Sequence, residues 1–461
     1  MSPEKPKSLT VALTALGCPK NIVDSERMLA EIAQAGFIIT TDPENADVVV
    51  INTCGFIEPA KIEALEAIKH AVDCKRRGAV KKVIVAGCLP QRLGHRLLEQ
   101  AHGIDAIVGL GHRDAIARII ERIIHSDKSE AFVDGPWGKS DDPFAKPAAR
   151  RLPVADDRTR LLITPGHWTY LRISEGCNRQ CSFCTVPAIR GPFRSKPEEL
   201  VLAEAAELVS AGVVELNIIA QDTTYYGRDL KMPSALVVLL KKLEKIPNLR
   251  WIRLMYLYPA GVTDRLIEAI AKSEKIVRYL DIPIQHADNK ILRHMHRPDT
   301  SQSIRRLIER LRSALPDCLL RTTLIVGFPG ETERQFNELL EFVRWAQFDA
   351  LGCFKFSPES GTLAAEMPAQ VPDRIKQQRV DELMLTQQEI AFAKNINRVG
   401  ATLTCLVDSV RTEGLAKGRF YGQAPDIDSL CLIKNCSARP GQFINANVVG
   451  TRDYDLIVEQ V

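Results

Sequence analysis

The sequence of 461 residues predicts an α/β protein in three units. These are an N-terminal doubly wound parallel sheet, a central open (β/α) partial TIM barrel and a small C-terminal all-β barrel of OB-like type. Three observations predict it. Over residues 8–125, apolar β-rich runs alternate with helical patterns, and strand–helix repetition makes a parallel sheet covered on both faces. From Trp168 the alternation resumes and yields six βα units in about 190 residues, too few for a closed eight-stranded barrel. The last 64 or so residues lose helical periodicity and read as short strands with turn residues between them.

The elements follow in order. Strands are expected at 9–16, 46–52, 82–86 and 106–108, with helices at 23–35, 59–74 and 92–101 and a further one from about Arg113. Lys5 and Lys7 before the first apolar run, and Gly17-Cys18 after it, superficially resemble a lipoprotein signal. Thr10 and Thr14 interrupt that run, so it reads as a first buried strand ending in a Gly-Cys turn. Residues 135–166 are rich in Pro, Lys, Arg and Asp without periodicity and read as a linker. Central strands are expected at 169–173, 215–220, 251–254, 279–282, 319–325 and 350–356, with helical pattern continuing to about Asn397. The final strands are expected at 399–407, 418–421, 430–432, 442–450 and 456–458. The expected bounds are therefore 1–134, a linker at 135–166, 167–395 and 396–461.

The net charge of +4 is small for this length and makes no strong electrostatic case for nucleic acid. No run of eighteen apolar residues exists, so no membrane-spanning helix is expected, and a cytoplasmic location is. Twelve cysteines are many for such a protein, and they are not spaced as a small disulfide framework. Metal or cluster ligation is the default expectation for those in loops.

The strongest motif is Cys177-Asn-Arg-Gln-Cys181-Ser-Phe-Cys184, which follows a strand through Ser174-Glu175-Gly176. Three thiolates in such a loop can each take one corner of a four-iron cube and leave one iron open. An open iron can chelate adjacent amine and carboxylate groups, which is what the methionine end of S-adenosylmethionine (SAM) presents. Structural zinc is the bland alternative. It wants four closed ligands, no His or Cys lies within twenty residues after Cys184, and His167 belongs at the far end of the strand.

A second constellation is dispersed. Cys18, Cys54 and Cys88 each follow a predicted parallel strand, in Leu16-Gly17-Cys18, Asn52-Thr53-Cys54 and Ala86-Gly87-Cys88. Carboxyl ends of parallel strands share one edge, where open α/β folds place ligands. Helices begin soon after each, so their N-terminal dipoles face the thiols. Three buried free cysteines are the alternative. Cys74, Cys318, Cys353, Cys405, Cys431 and Cys436 take the bland reading, and Cys431 and Cys436 are not read as a pair.

Weaker features remain open. Gly327-Phe328-Pro329-Gly330-Glu331-Thr332 is either an anion cradle at a helix start or a tight turn. Pro283-Ile284-Gln285-His286 and Gln221-Asp222 each follow a strand and are expected at the barrel mouth. His286 and Gln221 are candidates for cofactor contact or for structural roles.

CxxxCxxC after the first strand of a βα array resembles the radical SAM superfamily, and with the other features the chain resembles the methylthiotransferase family nearly throughout. That resemblance implies an N-terminal cluster unit, a radical SAM partial barrel and a C-terminal TRAM barrel. Gly17-Cys18-Pro19-Lys20-Asn21, Asn52-Thr53-Cys54-Gly55-Phe56, Gly87-Cys88-Leu89 and Tyr421-Gly422-Gln423-Ala424-Pro425-Asp426-Ile427-Asp428 look like the branch that modifies a ribosomal protein. Gln423 is a small departure from its pattern. The implied cofactors are two 4Fe-4S clusters, on Cys18, Cys54 and Cys88 and on Cys177, Cys181 and Cys184, together with SAM. Phe183 is implied to lie near the adenine. The implied substrate is an aspartate of small-subunit ribosomal protein twelve, met free or in the small ribosomal subunit. An electron donor such as flavodoxin or ferredoxin and a monomeric state are also implied. Radical attack at the aspartate β-carbon, then coupling to a methylthio group carried by the second cluster, is the implied chemistry.

Two rivals differ in class. One is a transfer-RNA methylthiotransferase with the same chemistry, and the other is a zinc-bearing RNA-binding protein. Residues 396–461 are the expected docking module. Seven basic and seven acidic side chains there leave no net charge, whereas an RNA-docking barrel should be basic. Asp426 and Asp428 are therefore expected to form an acidic patch for a basic ribosomal protein.

Overall fold

The computed structural model describes residues 9–133 and 156–461, except 233 and 413; the residues around Lys5 and Lys7, and 134–155 of the expected linker, lie outside the described residues. The first unit contains β1 (Thr10–Ala15), α1 (Pro19–Gln34), β2 (Ile38–Thr40), β3 (Val48–Thr53), α2 (Glu58–Arg76), β4 (Lys82–Gly87), α3 (Cys88–Leu93), α4 (Arg96–Gln100), β5 (Ala106–Val108), α5 (Ile116–Ile123) and β6 (Glu130–Phe132). Its strands pair in the order β2-β1-β3-β4-β5-β6, all parallel. Both faces are filled. Ile51, Ile68, Val83 and Leu89 pack on one side, and Val50, Met28, Ile32 and Ile120 on the other. The short strands β2 and β6 are additions to the expected set. The single helix expected at 92–101 is two helices, because the backbone breaks between them at Gly94.

The central unit contains β7 (Trp168–Arg172), β8 (Ser174–Glu175), α6 (Val186–Arg190), β9 (Arg194–Ser195), α7 (Glu198–Ser210), β10 (Glu215–Ile219), α8 (Ala235–Leu243), β11 (Trp251–Leu254), α9 (Asp264–Lys272), β12 (Ile276–Asp281), α10 (Asn289–His294), α11 (Ser301–Ala314), β13 (Leu319–Val326), α12 (Glu333–Ala346), β14 (Ala350–Lys355), α13 (Leu363–Glu366) and α14 (Asp373–Ile396). Its six long strands form one open parallel sheet, β14-β13-β12-β11-β10-β7, as expected. Leu216, Leu254, Leu280 and Leu324 bury the sheet against Leu239, Ile267, Leu311 and Phe336 of the surrounding helices. The last unit contains β15 (Thr402–Thr412), β16 (Gly414–Phe420), β17 (Cys431–Cys436), β18 (Phe443–Arg452) and β19 (Asp455–Gln460), closed as a five-stranded barrel. No described helix is long and apolar enough to cross a membrane.

The small barrel plugs the amino-terminal end of the central sheet. Trp168, Trp251, Tyr279 and Leu319, from four central strands, share a core with Phe420, Ala424, Ile444 and Val458. Polar ties reinforce it. Arg419 bonds Glu215 at 2.7 Å and Asp408 at 2.8 Å, and Asp408 also meets His167 at 2.8 Å. Asp428 accepts from the Tyr279 hydroxyl at 2.7 Å and faces Arg321 at 3.4 Å, with its side chain only 6% exposed. The expected acidic patch therefore does not form. Asp428 is an internal clamp, and of the pair only Asp426 is exposed to solvent. Counting charges along the chain treats Arg419, Asp408 and Asp428 as surface groups, although they bond inward. Gln423 is buried, and its side-chain oxygen accepts from the Phe420 amide and the Cys431 thiol.

A buried ionic network locks the first unit to the second. Asp24 of α1 meets Arg113 at 2.6 Å, Arg172 of β7 at 2.5 Å and Arg190 of α6 at 3.0 Å. These guanidiniums hold the Asp24 carboxyl well below the usual carboxylate range against the opposing effect of burial, the largest single influence. The described end of the expected linker, 156–166, joins the network. Asp157 pairs with Arg172 at 2.6 Å and Lys196 at 2.8 Å, and Arg160 pairs with Glu26 at 3.0 Å and Glu204 at 2.7 Å. Breaking a buried set of charges by removing one member leaves the rest uncompensated, at a cost of about 3–5 kcal/mol. Asp24→Asn is expected to lower the first thermal unfolding transition by several degrees, whereas exposed Glu121→Gln leaves it in place. Equal melting of the two variants by calorimetry would remove the network from the account of unit docking.

Candidate functional site

The Cys177–Cys184 loop leaves the carboxyl end of the first central strand and is pinned from several sides. The Cys177 amide donates to the Gly191 carbonyl at 3.1 Å, and Asn178 accepts from the Phe193 amide at 2.9 Å. Arg179 donates to Asp222, after β10, at 2.8 Å and lies 3.7 Å over the Tyr258 ring, after β11. Ser182 donates its hydroxyl to the His294 carbonyl at the end of α10, at 2.7 Å. The ends of β10 and β11, the segment between α6 and β9, and α10 thus hold the loop with contacts that do not involve the thiols. Burial pushes the Cys177 thiol up to about 11, raises Cys181 and raises Cys184 well above the ordinary thiol value. Repulsion from Cys181 raises Cys184 further, so these thiols are electrostatic neighbours.

The other three cysteines stand on adjacent strands, at the point where strand order reverses between β1 and β3 and on β4 beside it. Cys18 occupies the N-cap of α1, with Pro19 opening the helix. The backbones press together. A Cβ on Gly17 would lie 2.7 Å from the Cys54 Cβ, and one on Gly55 would lie 3.0 Å from the Cys88 carbonyl carbon. Only glycine permits both approaches, and Gly17 also has φ of +96°. Burial raises Cys54 and pushes Cys88 up to about 12, and in each case neighbouring cysteines add to the shift.

The two cysteine sets face one another across the junction between units. The hydroxyl of Thr185, next to Cys184, donates to the Phe56 carbonyl, two residues after Cys54, at 3.3 Å. Cys88 packs with Leu110 and with Ile189 of α6. Arg190 reaches from α6 to Asn21 at 2.8 Å, Asp24 at 3.0 Å and Glu175 at 3.0 Å. Burial opposes its charge, while Cys88, Glu175, Asp24 and Cys18 sustain it. Beyond the cysteines, Glu359 meets Arg92 at 2.7 Å and Lys61 at 3.0 Å, a further tie from the central unit to the first.

Six cysteine thiols in two sets form a soft donor array suited to iron–sulfur ligation, and ligation would displace the protons that burial retains on Cys54, Cys88, Cys177, Cys181 and Cys184. Among the described residues no three His, Cys, Asp or Glu side chains close around one point as a single metal ion needs. A four-iron cube takes its thiolates on separate corners. His167 is engaged with Asp408 at the opposite end of the strand.

The remaining candidates from the sequence divide. Gln221 donates to Glu175 at 3.2 Å, beside the cysteine loop, and its buried carbonyl oxygen has no partner among the described residues. Phe183 is partly buried against Met295, Phe328 and Phe356. His286 is fully enclosed rather than set at the mouth. Its Nδ1 accepts from the Asp288 amide at 2.9 Å, its Nε2 lies 3.8 Å from Glu331, and burial lowers it to about 4, so the ring is neutral. That placement makes His286 a wall residue. The Gly327–Thr332 stretch is a tight turn. The Phe328 amide is taken by Glu331 at 3.1 Å, and Thr332 caps α12.

Asp24 and Arg190 are neighbours of the cysteines that lie outside the motifs, and Lys20, Arg179 and Asp222 stand inside them without a separate role assigned from sequence. One signal for them exists. Lys20, Asn21 and Asp24 follow Cys18 in the first turns of α1, and polar residues at that spacing occupy the face that a cysteine at the N-cap would turn inward.

Three family models match this chain. One described as the Radical SAM superfamily covers residues 171–343, one described as Uncharacterized protein family UPF0004 covers 10–109, and one described as TRAM domain covers 399–461. The ribosomal protein uS12 methylthiotransferase RimO of Geobacter sulfurreducens is 44% identical over 97% of this chain and 98% of its own length. The protein of that name from Bdellovibrio bacteriovorus is 41% identical over 100% of this chain and 99% of its own. Among solved structures, the radical S-adenosylmethionine methyltransferase TsrM of Kitasatospora setae covers 88% of this chain and 79% of its own at 14% identity and a TM-score of 0.55, a likeness of fold.

Proposed function

This chain belongs to the RimO family of ribosomal protein uS12 methylthiotransferases, and from that we propose how its residues divide the work. It is a radical SAM transferase that uses SAM and 4Fe-4S clusters to place a methylthio group on ribosomal protein uS12. The observation that carries the residue assignment is the meeting of two cysteine triads at one junction, on a chain related to these enzymes over its full length.

We assign Cys177, Cys181 and Cys184 to the cluster that binds SAM, and Cys18, Cys54 and Cys88 to the second. When bound, these clusters supply the electron that cleaves SAM and the sulfur that receives a methyl group. Everything else falls to the chain. Arg179 with Asp222 and Ser182 with the His294 carbonyl fix the SAM-side loop before any cluster arrives. Arg190 sets a buried positive charge beside the Cys88 side and ties it to the SAM-side helix α6. Gln221, with a free buried oxygen near the loop, and Phe183 are the proposed SAM contacts; His286 acts through the wall. The target carbon is the aspartate β-carbon. Its reactive state is brief, and water exclusion and fixed geometry decide its fate. The buried network at Asp24 supplies the rigidity.

We place the working divisions at 1–134, 167–395 and 396–461, with the protein in the cytoplasm as a monomer. It meets uS12 free or on the small subunit and takes its electron from a flavodoxin or ferredoxin. The small barrel acts as the docking unit through its outer surface, since Asp428 and Arg419 serve its inner one.

Mass spectrometry of ribosomal proteins and transfer RNA from a deletion strain tests the assignment. uS12 is expected to lose the mass of one methylthio group less one hydrogen, with transfer RNA unchanged. Loss of the group from transfer-RNA adenosine instead, with uS12 still modified, would transfer the chain to the RNA branch.

A further inference from the structure

Lys20 is buried to 6% exposure and lies two residues beyond Cys18 in the first turn of α1. It reaches out of its own unit. Its ammonium lies 3.2 Å from the centre of the Tyr256 ring, just past the carboxyl end of β11 in the central unit. An ammonium over an aromatic face at this depth is attracted to the ring but keeps donors that need an acceptor. Among the described residues it has no hydrogen bond or ion pair. The nearby carboxylates are already engaged. Asp281 accepts from Arg321 at 2.9 Å and from the Tyr256 amide at 3.0 Å. Glu175 accepts from Arg190 at 3.0 Å and Arg172 at 3.1 Å.

Tyr256 is held in place for this contact. It has φ of +58°, a left-handed conformation that a bulky side chain rarely adopts. The bond from its amide to Asp281, and the one from the Thr223 amide to its carbonyl at 3.1 Å, stabilise it. The strained backbone puts the ring under the ammonium of a residue from another unit.

We propose that Lys20 is the carboxylate-receiving residue of the site and holds the side-chain carboxylate of the target aspartate. This rests on the uS12 reading. The carboxyl carbon of an aspartate is bonded to the β-carbon, so a carboxylate held at Lys20 sets the reacting carbon one bond away, where the Cys18 side of the first unit meets the strand ends of the second. A buried cation with free donors also selects against the neutral isostere. Asparagine would leave the ammonium without an anion and direct a second N–H donor at it. SAM also carries a carboxylate, so the test separates the two sources.

Equilibrium binding is measured by fluorescence anisotropy on full-length, anaerobically reconstituted protein with SAM and no reductant. The probes are a synthetic peptide spanning the target aspartate of uS12 and the same peptide with asparagine there. Wild type is expected to prefer aspartate by roughly 10- to 100-fold, the range of one charge-assisted hydrogen bond. Lys20→Met is expected to abolish the preference and Lys20→Arg to restore most of it, at equal iron content. Lys20→Gln serves as the neutral variant if the methionine protein does not load iron. A neutral variant that keeps the aspartate preference overturns the proposal. If that variant instead loses affinity for SAM in equilibrium dialysis while preference persists, the carboxylate received is that of SAM, and the substrate role falls. Wild type that binds neither peptide defeats the uS12 reading itself, and this proposal with it.

Discussion

Replacing Cys177, Cys181 and Cys184 together by alanine is expected to halve the iron of the reconstituted protein and to abolish deoxyadenosine formation from SAM. The loop that carries these residues is fixed by Arg179 to Asp222, by Asn178 to Phe193 and by Ser182 to His294, none of which uses a thiol. The backbone should therefore keep its place, and the loss should be one of ligands rather than of fold. Three thiols, one buried and two half-buried, are lost as cysteine becomes alanine, so the soft donors that iron requires are gone while the surrounding packing changes little. Iron content by chemical assay and deoxyadenosine by chromatography read the two effects separately. Loss of all the iron, or of none, would contradict two independent sites. Undiminished deoxyadenosine would take SAM cleavage away from this loop.

Cys18→Ala, Cys54→Ala and Cys88→Ala combined are expected to halve the iron as well, but with the opposite division of activity. Deoxyadenosine still forms, and no methylthio group reaches the uS12 peptide. The physical basis is the separation of the triads between units. Cys18, Cys54 and Cys88 follow β1, β3 and β4 of the first sheet, whereas the Cys177–Cys184 loop is anchored within the central unit. Arg190, which bridges the two, keeps Asp24, Glu175 and Asn21 as partners when the cysteines are removed. Product on the peptide from this variant, seen by mass spectrometry, would mean that the second triad does not carry the transferred group. Loss of deoxyadenosine as well would mean that the two sites cannot work apart.

Much of this is readable along the chain because it is local. The CxxxCxxC run needs only eight residues and a preceding strand. Cys18, Cys54 and Cys88 can be gathered at one edge although they are far apart in sequence, because parallel strands present their carboxyl ends together whatever joins them. The alternation of strand and helix locates all six central strands and four of the six in the first sheet. The other two, β2 and β6, are three residues each and carry no period long enough to see.

The differences between sequence and structure share a physical cause. Along the chain Asp428 has the look of a surface acid, yet it bonds Tyr279 and faces Arg321. His286 follows a strand as a residue of the mouth would, yet it is enclosed behind Asp288 and Glu331. The end of the linker has a solvated composition, yet Asp157 and Arg160 are buried among Arg172, Lys196 and Glu204. A charged residue has the same appearance in a sequence whether water or a buried counter-ion satisfies it, since the partner lies in another element.

The sequence by itself determined the three-unit order, the parallel sheets, the closed terminal barrel and the two sets of cysteines, because backbone periodicity and strand polarity are properties of short segments. Only the tertiary structure decided that Asp24 binds three arginines from elsewhere in the chain, that the small barrel seals the amino end of the central sheet, and that Lys20 rests on the Tyr256 ring. Those contacts join residues separated by up to hundreds of positions, and the Asp24 charge survives burial only through arginines that folding brings within a few ångströms.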